Sequence, residues 1–375
     1  MRDALFRLLY RVIRVSRPRR IDHGGPRTIL VLQYAMPLGC CVHGTPIYAA
    51  IKQANPNTTI IVASRGTGLA TLQHDPNIDH LIDTPDPMAS FASLRKTIRT
   101  IRKHLRANGW QPDIVLQDAS NRRGTYALFA LLLRVAPTKG FADAPALYDN
   151  HLQYDPMLSL IDNNLRLVDG SRHVEPGVYF TADELEHARA MLREVNPAGL
   201  PVTAFVVQGS GGQPTEWHDD RFAAVIQHMQ KRGRFPVFLG TADNAAKIER
   251  IRSMAGPPGC SLAGRTSIPQ LAALLSLCDF MITIDTGTMH VGRAVDLPMI
   301  VLGPAWQDPM EWMPLSKINA RVLRGFYLHE VPPHCRVEVS LQRVITSANE
   351  WLMIFQPPEH LREIRIAQRL STTRP

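Results

Sequence analysis

Short apolar runs alternate with amphipathic stretches along the N-terminal half of the chain. The apolar runs predict strands at 28–34, 59–63, 78–82 and 113–118. The stretches between them predict helices at 47–54, 90–108 and 126–135, and the residues at 35–46 predict a loop. Strands that alternate with helices in this way indicate a mostly parallel, doubly wound sheet.

A second series of the same kind starts near residue 200. Thr181 and Glu184 predict the capped start of a helix at 181–195, and the Asn-Pro-Ala-Gly-Leu-Pro run at 196–201 ends it. Further apolar runs predict strands at 202–207, 236–239, 280–284 and 299–302. The whole pattern predicts an α/β protein with two Rossmann-like, doubly wound domains and an interdomain cleft. The predicted segments are a basic N-terminal segment (1–25), a first domain (26–180), a linker helix and loop (181–200), a second domain (201–356) and a charged tail (357–375).

The clearest candidate for chemistry follows the strand at 280–284. Asp285, Thr286, Gly287 and Thr288 form a tight turn that leads into a helical pattern. The first backbone N–H groups of a helix, with the positive end of its dipole, make an anion site. We therefore predict a phosphate-bearing ligand here, against the alternative of an N-capped helix with no ligand. His290 either binds phosphate or packs the helix.

Two more loops follow strands of the second half. Gln208–Gly212 is rich in glycine and is either a ligand-binding loop, through Gly209, Ser210 and Gly211, or only a flexible one. Asp243 follows the strand at 236–239, where an acid can accept from ribose hydroxyls or simply cap a helix.

Positive charge is concentrated at the N-terminus. The formal net charge is +9, and the first twenty residues hold seven Arg and one Asp, so the rest of the chain carries about +3 (9 − 6). A nucleic-acid-binding body is therefore not indicated. Residues 1–20 predict a basic amphipathic helix on an anionic membrane surface, against the alternatives of a helix packed on its own domain or a disordered arm. The five Cys show no metal spacing and fit a reducing cytoplasm.

Six segments between residues 28 and 345 carry a family resemblance. They are Leu-Gly and Val-His at 38–43, Asn-Ile-Asp-His-Leu-Ile at 77–82, Gln-Asp and Arg-Arg-Gly at 117–124, Leu-Ala-Gly-Arg-Thr-Ser and Leu-Ala-Ala-Leu-Leu at 262–275, Asp-Thr-Gly-Thr-Met-His at 285–290, and Gly-Pro with Trp-Met-Pro at 303–314. In this order they resemble glycosyltransferase family 9, the ADP-heptose:lipopolysaccharide heptosyltransferases. The strongest match sets residues 285–290 against the family's Asp-Ser-Gly-Pro-Met-His.

The resemblance implies a GT-B fold, with the donor nucleotide sugar on the second domain and the acceptor on the first. It implies an inverting, metal-independent transfer of heptose, or a related sugar, to lipopolysaccharide or another cell-envelope saccharide. No cofactor is expected beyond the donor substrate, ADP-heptose, and the expected location is cytoplasmic, at the inner face of the bacterial inner membrane. The expected donor-binding residues are Gly209, Ser210, Gly211, Glu216, Asp243, Asp285, Thr286, Gly287, Thr288 and His290.

Two positions depart from the family pattern. Cys40 stands where the family has the acid taken to act as general base, and a thiol with its ordinary pKa is a poor substitute for a carboxylate. Thr215 stands where the family has a Lys taken to steady the donor phosphates, next to the acidic Glu216. These losses motivate an alternative function, a nucleotide-sugar-binding protein of the same fold that has lost transfer activity. A sugar-nucleotide epimerase is disfavoured by the order of the motifs.

Residues of the first half offer replacements for the missing acid. His43 has an unperturbed pKa near working pH, and Asp118 ends another strand of the same domain, so both are candidate catalytic bases. His43 as a plain helix-entry residue is the alternative. Arg122 and Arg123 suit a phosphorylated or carboxylated saccharide acceptor, although they are equally well explained as solvated surface residues.

Overall fold

The computed structural model divides the chain into two compact units, Met1–Pro176 (unit 1) and Gly177–Pro375 (unit 2). The structure describes residues 8, 10–12, 27–35, 37–142, 147–209, 216–305, 307–325, 339–354 and 359–371. Each unit is built around a six-stranded sheet. No helix within these described ranges is long and apolar enough to cross a membrane.

Unit 1 alternates strands with helices. Its strands are β1 (Thr28–Leu32), β2 (Thr59–Ser64), β3 (His80–Asp83), β4 (Ile114–Gln117), β5 (Thr138–Phe141) and β6 (Asn150–Leu152). Its helices are α1 (Leu38–Gly44), α2 (Pro46–Ala54), α3 (Gly66–Leu72), α4 (Phe91–Ala107), α5 (Gly124–Leu133) and α6 (Leu160–Leu165). The strand order is β3-β2-β1-β4-β5-β6 and all pairings are parallel. The predicted doubly wound α/β class is confirmed for this unit.

Helix α1 forms where the sequence predicted a loop. Its side chains Cys41 and Val42 are completely buried. Its last residue, Gly44, lies so close to the end of β1 that an added Cβ would stand 2.8 Å from Nε2 of Gln33. The prediction of a loop over 35–46 is wrong because burial of this face, with the close approach that glycine allows, outweighs the low helix propensity of glycine.

Unit 2 repeats the alternation. Its strands are β7 (Val202–Val206), β8 (Phe235–Phe238), β9 (Cys260–Ser261), β10 (Phe280–Ile284), β11 (Met299–Gly303) and β12 (Ala320–Arg324). Its helices are α7 (Ala182–Val195), α8 (Asp219–Lys231), α9 (Ala245–Ala255), α10 (Ile268–Leu277), α11 (Gly287–Ala294), α12 (Pro309–Trp312), α13 (Leu341–Ile354) and α14 (Glu359–Arg369). The strand order is β12-β11-β10-β7-β8-β9, again parallel throughout.

The helix expected in a linker belongs to unit 2, and so does much of the charged tail. Helix α7 starts with the predicted capping box of Thr181 and Glu184 and contacts α10. Helix α14 also contacts α10, and Arg365 donates to the Cys278 carbonyl oxygen at 2.8 Å. The boundary between the units therefore falls before Gly177, earlier than the sequence analysis expected.

Candidate functional site

The strand order of unit 2 marks one place where a ligand is expected. The chain winds from β7 to one side of the sheet through β8 and β9, and then to the other side through β10, β11 and β12. The order reverses between the paired strands β7 and β10. In open α/β sheets, ligands bind outside the carboxyl ends of the strands at such a switch point. There β7 leads to Gly209 and β10 leads to Asp285.

The N-terminus of α11 lies at this switch point. Thr286 is its N-cap residue, and its Oγ1 accepts from the Met289 amide at 3.3 Å. That bond occupies one of the first helical N–H groups and leaves those of Gly287 and Thr288, which have no intrahelical acceptor. Residues 286–288 are partly exposed while their neighbours on either side are buried. The geometry therefore leaves an accessible corner of backbone donors, the kind of group that can bind an anion.

Asp285 and His290 flank this corner in the sequence, but their side chains are buried. Their side chains are 7% and 4% exposed, and Nε2 of His290 is 3.7 Å from Oδ1 of Asp285. Burial raises the pKa of the Asp285 carboxyl, and a hydrogen bond from Gln307 opposes that rise. Burial, with a smaller contribution from nearby Arg293, lowers the pKa of His290 to about 3. His290 is therefore neutral at physiological pH, which favours the packing alternative over a phosphate contact by a charged imidazolium.

Arg324 fixes the loop that follows β11. Its guanidinium donates to the backbone carbonyl oxygens of Pro304, Ala305 and Gln307. Three backbone acceptors on one side chain hold this loop beside the corner at residues 285–288. The sequence analysis did not identify Arg324, because its partners are carbonyl groups that leave no signal in the sequence.

The two acidic donor candidates that remain in unit 2, Glu216 and Asp243, are both exposed. Glu216 is exposed and pairs with Lys247, whose Nζ lies 3.1 Å from Oε2 of Glu216 and 3.6 Å from Oδ1 of Asp219. Lys247 itself is 8% exposed, so a buried cation stands close to residue 216. Asp243 is exposed in the short 3₁₀ turn that follows β8. Ser210, Gly211 and Thr215 lie outside the described residues.

Unit 1 has its own switch point, between β1 and β4. Asp118 directly follows β4 and is 1% exposed. Among the described residues, neither carboxylate oxygen has a partner within hydrogen-bond geometry, although the Ser120 and Asn121 backbone amides and the Gln117 side chain lie near enough to lower its pKa in part. Burial is the larger effect and raises the pKa of Asp118 from 3.8 to about 7. This carboxyl therefore exchanges its proton near neutral pH.

Other buried polar groups surround Asp118. Four such atoms have no hydrogen-bond partner among the described residues: Gln117 Oε1, Ser120 Oγ, Asn121 Nδ2 and Tyr148 OH. Asn164 of α6 links the loop after β4 to α1. Its Oδ1 accepts from the Ala119 amide at 2.7 Å, and its Nδ2 donates to the His43 carbonyl oxygen at 2.9 Å. A group of donors and acceptors of this kind suits a ligand with many hydroxyl groups.

The other candidates of unit 1 are distributed around this group. His43 lies on α1 with a completely buried side chain, and Cys40 of the same helix is partly exposed. Arg122 is half-buried, and its guanidinium carbon lies 3.8 Å from the centre of the Tyr154 ring. Arg123 is exposed. Within the described ranges, no group of three or more His, Cys, Asp or Glu side chains is placed to hold a metal ion.

Comparison with known protein families identifies the family of this chain. The model of glycosyltransferase family 9 (heptosyltransferase) matches residues 98–338, more than half of the chain. The chain belongs to glycosyltransferase family 9. The resemblance inferred from the sequence motifs is thereby confirmed, and the protein is a glycosyltransferase.

Known members of glycosyltransferase family 9 resemble the chain over most of its length. Lipopolysaccharide heptosyltransferase 3 of Escherichia coli (strain K12) is 25% identical over 309 residues, which cover 76% of this chain and 84% of that protein. The structure of the family 9 glycosyl transferase from Veillonella parvula DSM 2008 matches with a TM-score of 0.76 at 18% identity, covering 88% of this chain and 97% of the other. E. coli ADP-heptose lps heptosyltransferase II matches with a TM-score of 0.72 at 17% identity, covering 87% and 99%. These structures support the predicted GT-B type of fold.

Within this family 9 chain, the sequence analysis missed residues whose partners are distant in sequence. Asn164 contacts groups 45 and 121 positions away. Lys247 reaches Glu216 across the start of α8. The one signal for Lys247 in the sequence is the apolar pattern around β8 and α9. That pattern places the first turns of neighbouring helices at one edge of a sheet.

Proposed function

We propose that the chain is an inverting glycosyltransferase that moves heptose, or a related sugar, from a nucleotide-sugar donor to a lipopolysaccharide or other cell-envelope saccharide. ADP-heptose is the proposed donor, because relatives of this chain carry that substrate in their names. Unit 2 binds the donor and unit 1 binds the acceptor. Catalysis uses no metal ion and no cofactor besides the donor substrate.

The proposal rests on one observation above all, the accessible amides of Gly287 and Thr288 at the switch point of unit 2. As the bond between the sugar anomeric carbon and the diphosphate oxygen breaks, negative charge grows on the diphosphate. Backbone dipoles that already point at that position stabilise the charge without reorganising. Because this site supplies its stabilisation through backbone groups, the step proceeds without a metal ion.

The acceptor hydroxyl must lose a proton as its oxygen attacks the anomeric carbon. Asp118 is the proposed base, since its pKa of about 7 suits proton transfer at neutral pH. The new bond forms from acceptor oxygen to sugar carbon, the bond to the diphosphate breaks, and the proton goes to the Asp118 carboxylate. A single displacement of this kind inverts the anomeric centre. Arg122, which lies on the same post-β4 loop, is the proposed contact for an acidic group of the acceptor.

A matched pair of variants tests the diphosphate site. Thr288→Asp places a negative charge in the first turn of α11, where it favours the helix dipole but repels a diphosphate, whereas Thr288→Asn has the same size without the charge. We expect the affinity for ADP, measured by calorimetry, to fall at least about fivefold further in Thr288→Asp than in Thr288→Asn, because like charges a few ångströms apart repel by about 1 kcal/mol or more. Equal affinities with unchanged thermal stability would remove this site from the proposal.

Transfer itself is tested by the release of ADP from ADP-heptose in the presence of lipopolysaccharide core acceptors and excess EDTA. We expect acceptor-dependent turnover in the native chain and its loss in Asp118→Asn, with donor affinity retained. Turnover that stops on chelation and returns with a divalent cation would contradict the metal-independent mechanism.

A second candidate function is motivated by Cys40 and Thr215, which stand at the family's acid and Lys positions. On that hypothesis the chain binds a nucleotide sugar without transferring it. Cys40→Asp restores the family's acid, with Cys40→Asn as its neutral control. A chain that binds ADP-heptose, is inactive with every acceptor, and gains turnover only in Cys40→Asp would favour the binding-protein alternative.

We also propose peripheral attachment to the inner face of the bacterial inner membrane through residues 1–20. Of these, residues 8 and 10–12 are described and helical. Leu8 and Val12, four positions apart, are 59% and 65% exposed, whereas the Tyr10 hydroxyl donates to Oδ1 of Asp149 at 3.0 Å. This pattern suits a helix held by one face with an apolar face outward. Deletion of residues 1–20 is expected to release the protein into the soluble fraction, and an unchanged distribution would contradict the proposal.

A further inference from the structure

Helix α4 of unit 1 carries a concentration of positive charge that the transfer reaction does not use. It contains six Arg and Lys residues and no acid, and the chain has no Asp or Glu at all between Asp86 and Asp113. One side of the helix, with Thr97, Ile101 and Leu105, is buried. The opposite side is exposed and carries the basic face, which we define as Arg95, Arg99, Lys103 and Arg106.

The charges of this basic face are not neutralised within the fold. None of its four side chains forms an ion pair with any Asp or Glu of the described residues. The guanidinium of Arg102, at the edge of the face, donates to the carbonyl oxygens of Leu133 and Leu132 at 3.0 and 3.1 Å, so it is held in place at the end of α5. Burial lowers the pKa of Arg102, and the positive charges of Arg106 and Arg134 lower it further. Several cations therefore lie close together on this side of the unit. Such a surface lowers its self-repulsion when an anionic partner binds.

The shape of the region suits phosphate groups. A shallow depression of about 480 Å³ is lined by Arg99, Arg102, Lys103, Arg106 and Ala107. Arginine side chains in a shared depression bind phosphate oxygens with forked hydrogen bonds, and lysine adds a compact charge. The helix spans 17 residues, or about 25 Å, so its face is long enough to meet several headgroups at once.

We propose that the basic face of α4 binds the phosphate-bearing headgroups of an anionic membrane surface. A membrane is favoured over a nucleic acid because the exposed part of the helix lacks interleaved aromatic residues for stacking on bases. Its one aromatic residue, Phe91, is 74% exposed at the end of the helix, beside Arg95, as in helices that lie at a membrane interface. A lipid surface also agrees with the lipid-linked acceptor proposed above, but vesicle binding does not depend on that proposal.

Vesicle sedimentation with the full chain tests this surface. The lipids are phosphatidylcholine mixed with phosphatidylglycerol, against phosphatidylcholine alone, and no nucleotide or saccharide is present. The test variant is Arg99→Gln with Lys103→Gln. The matched control is Lys231→Gln with Arg232→Gln, which removes the same charge from exposed positions at the end of α8 in unit 2.

We expect the native chain to bind the anionic vesicles and to bind less as salt is raised, since charges at a surface are screened over about 8 Å at physiological ionic strength. Each cation near such a surface contributes roughly fivefold to binding, so the α4 variant is expected to bind about 25-fold more weakly. The control is expected to change by less than about threefold, because it leaves the basic face of α4 intact. Circular dichroism and thermal unfolding of both variants check that each remains folded.

Three results would overturn the proposal. The first is an equal loss in the α4 variant and the control, and the second is equal binding to both vesicle types. The third is binding of duplex DNA through Arg99 and Lys103 by a chain that ignores the vesicles. A native chain that releases ADP but does not bind the anionic vesicles would reject the membrane surface alone, whereas a native chain that binds the vesicles but does not release ADP would reject the transferase function alone.

Discussion

Asp118 is a candidate base at the end of a strand in the sequence, and a buried carboxyl in the fold. Its position after β4 follows from the apolar run that precedes it, which the sequence reveals. Its burial depends on α1, whose Gly44 lies 3.4 Å from Oδ2 of Asp118 when a Cβ is placed on it. A helix that the sequence analysis took for a loop is therefore one cause of the raised pKa of this carboxyl.

The raised pKa makes stability depend on pH in a predictable direction. The folded chain holds the Asp118 proton up to about pH 7, whereas the unfolded chain loses it near 3.8. The folded state therefore binds more protons between these values, and the free energy of unfolding falls as pH rises from about 4 to 7. Asp118→Asn removes that loss, so we expect its free energy of unfolding to exceed that of the native chain by up to about 4 kcal/mol at pH 8 and by little at pH 4.

Denaturant titrations at the two pH values measure this difference. Gln117→Asn, which shortens a neighbouring neutral side chain, serves as the control and should show no such pH-dependent gain. A native chain whose stability is flat between pH 4 and 7 would mean that Asp118 is solvated. Because Asp118 is also the proposed base, kcat/KM is expected to rise with pH around 7 as its carboxyl loses the proton.

His290 gives a second prediction at this scale. Because its pKa is lowered to about 3, it stays neutral from pH 5 to pH 8. The affinity for ADP-heptose, whose diphosphate diester does not titrate in this interval, is therefore expected to vary by less than about twofold between these pH values. Binding that strengthens below the ordinary histidine pKa of about 6.5 would show instead that a charged imidazolium contacts the phosphates.

At the scale of single elements, α1 and α11 have similar roles in the two units. Each follows the carboxyl end of a strand at the switch point, β1 in unit 1 and β10 in unit 2. The turn before α11 could be predicted because Asp-Thr-Gly-Thr after an apolar run is a helix-capping pattern, and Thr286 does cap the helix. Helix α1 could not, because its glycines argue against a helix until the packing against Gln33 is known.

Gly44→Ala tests the packing of α1. The added Cβ would lie 2.8 Å from Nε2 of Gln33, closer than neighbouring atoms tolerate. We expect a loss of about 1–3 kcal/mol in the free energy of unfolding, as for overpacked cores, together with loss of transfer activity. The affinity for ADP should remain unchanged because the proposed donor site lies in unit 2. A variant as stable as the native chain would show that α1 can move away from β1.

The same contrast accounts for what the sequence could reveal of the whole fold and site. Long apolar runs allowed the central strands to be predicted, and the amphipathic pattern over 90–108 allowed α4 to be predicted, which was observed at Phe91–Ala107. The short strands β6 and β9, with three and two residues, are too brief to produce a pattern. Site residues in a continuous motif, such as 285–288, were identified, whereas Asn164, Lys247 and Arg324 act through contacts that exist only after folding.

At the scale of the whole molecule, ADP is expected to affect the two units differently. Hydrogen exchange with and without ADP measures this. Protection should be strongest at the amides of residues 286–289 and the loop held by Arg324, because bound anions occupy donors that otherwise exchange with water. The strands β1–β6 should be unaffected. Strong protection of the Asp118 region by ADP alone would contradict the assignment of the donor to unit 2.

In each unit the first strand lies at the centre of the sheet. The second and third strands follow on one side of it, and the last three strands follow on the other side. The duplication is one of topology only, since the two halves share no recognisable repeat in their residues. Because the two units share one topology, the chain has two separate sets of loops that can change during evolution. With the proposed donor site in one unit and the proposed acceptor site in the other, a substitution in one set of loops can alter which nucleotide is accepted without changing which saccharide is extended. Descendants of such a chain can therefore diversify one specificity at a time.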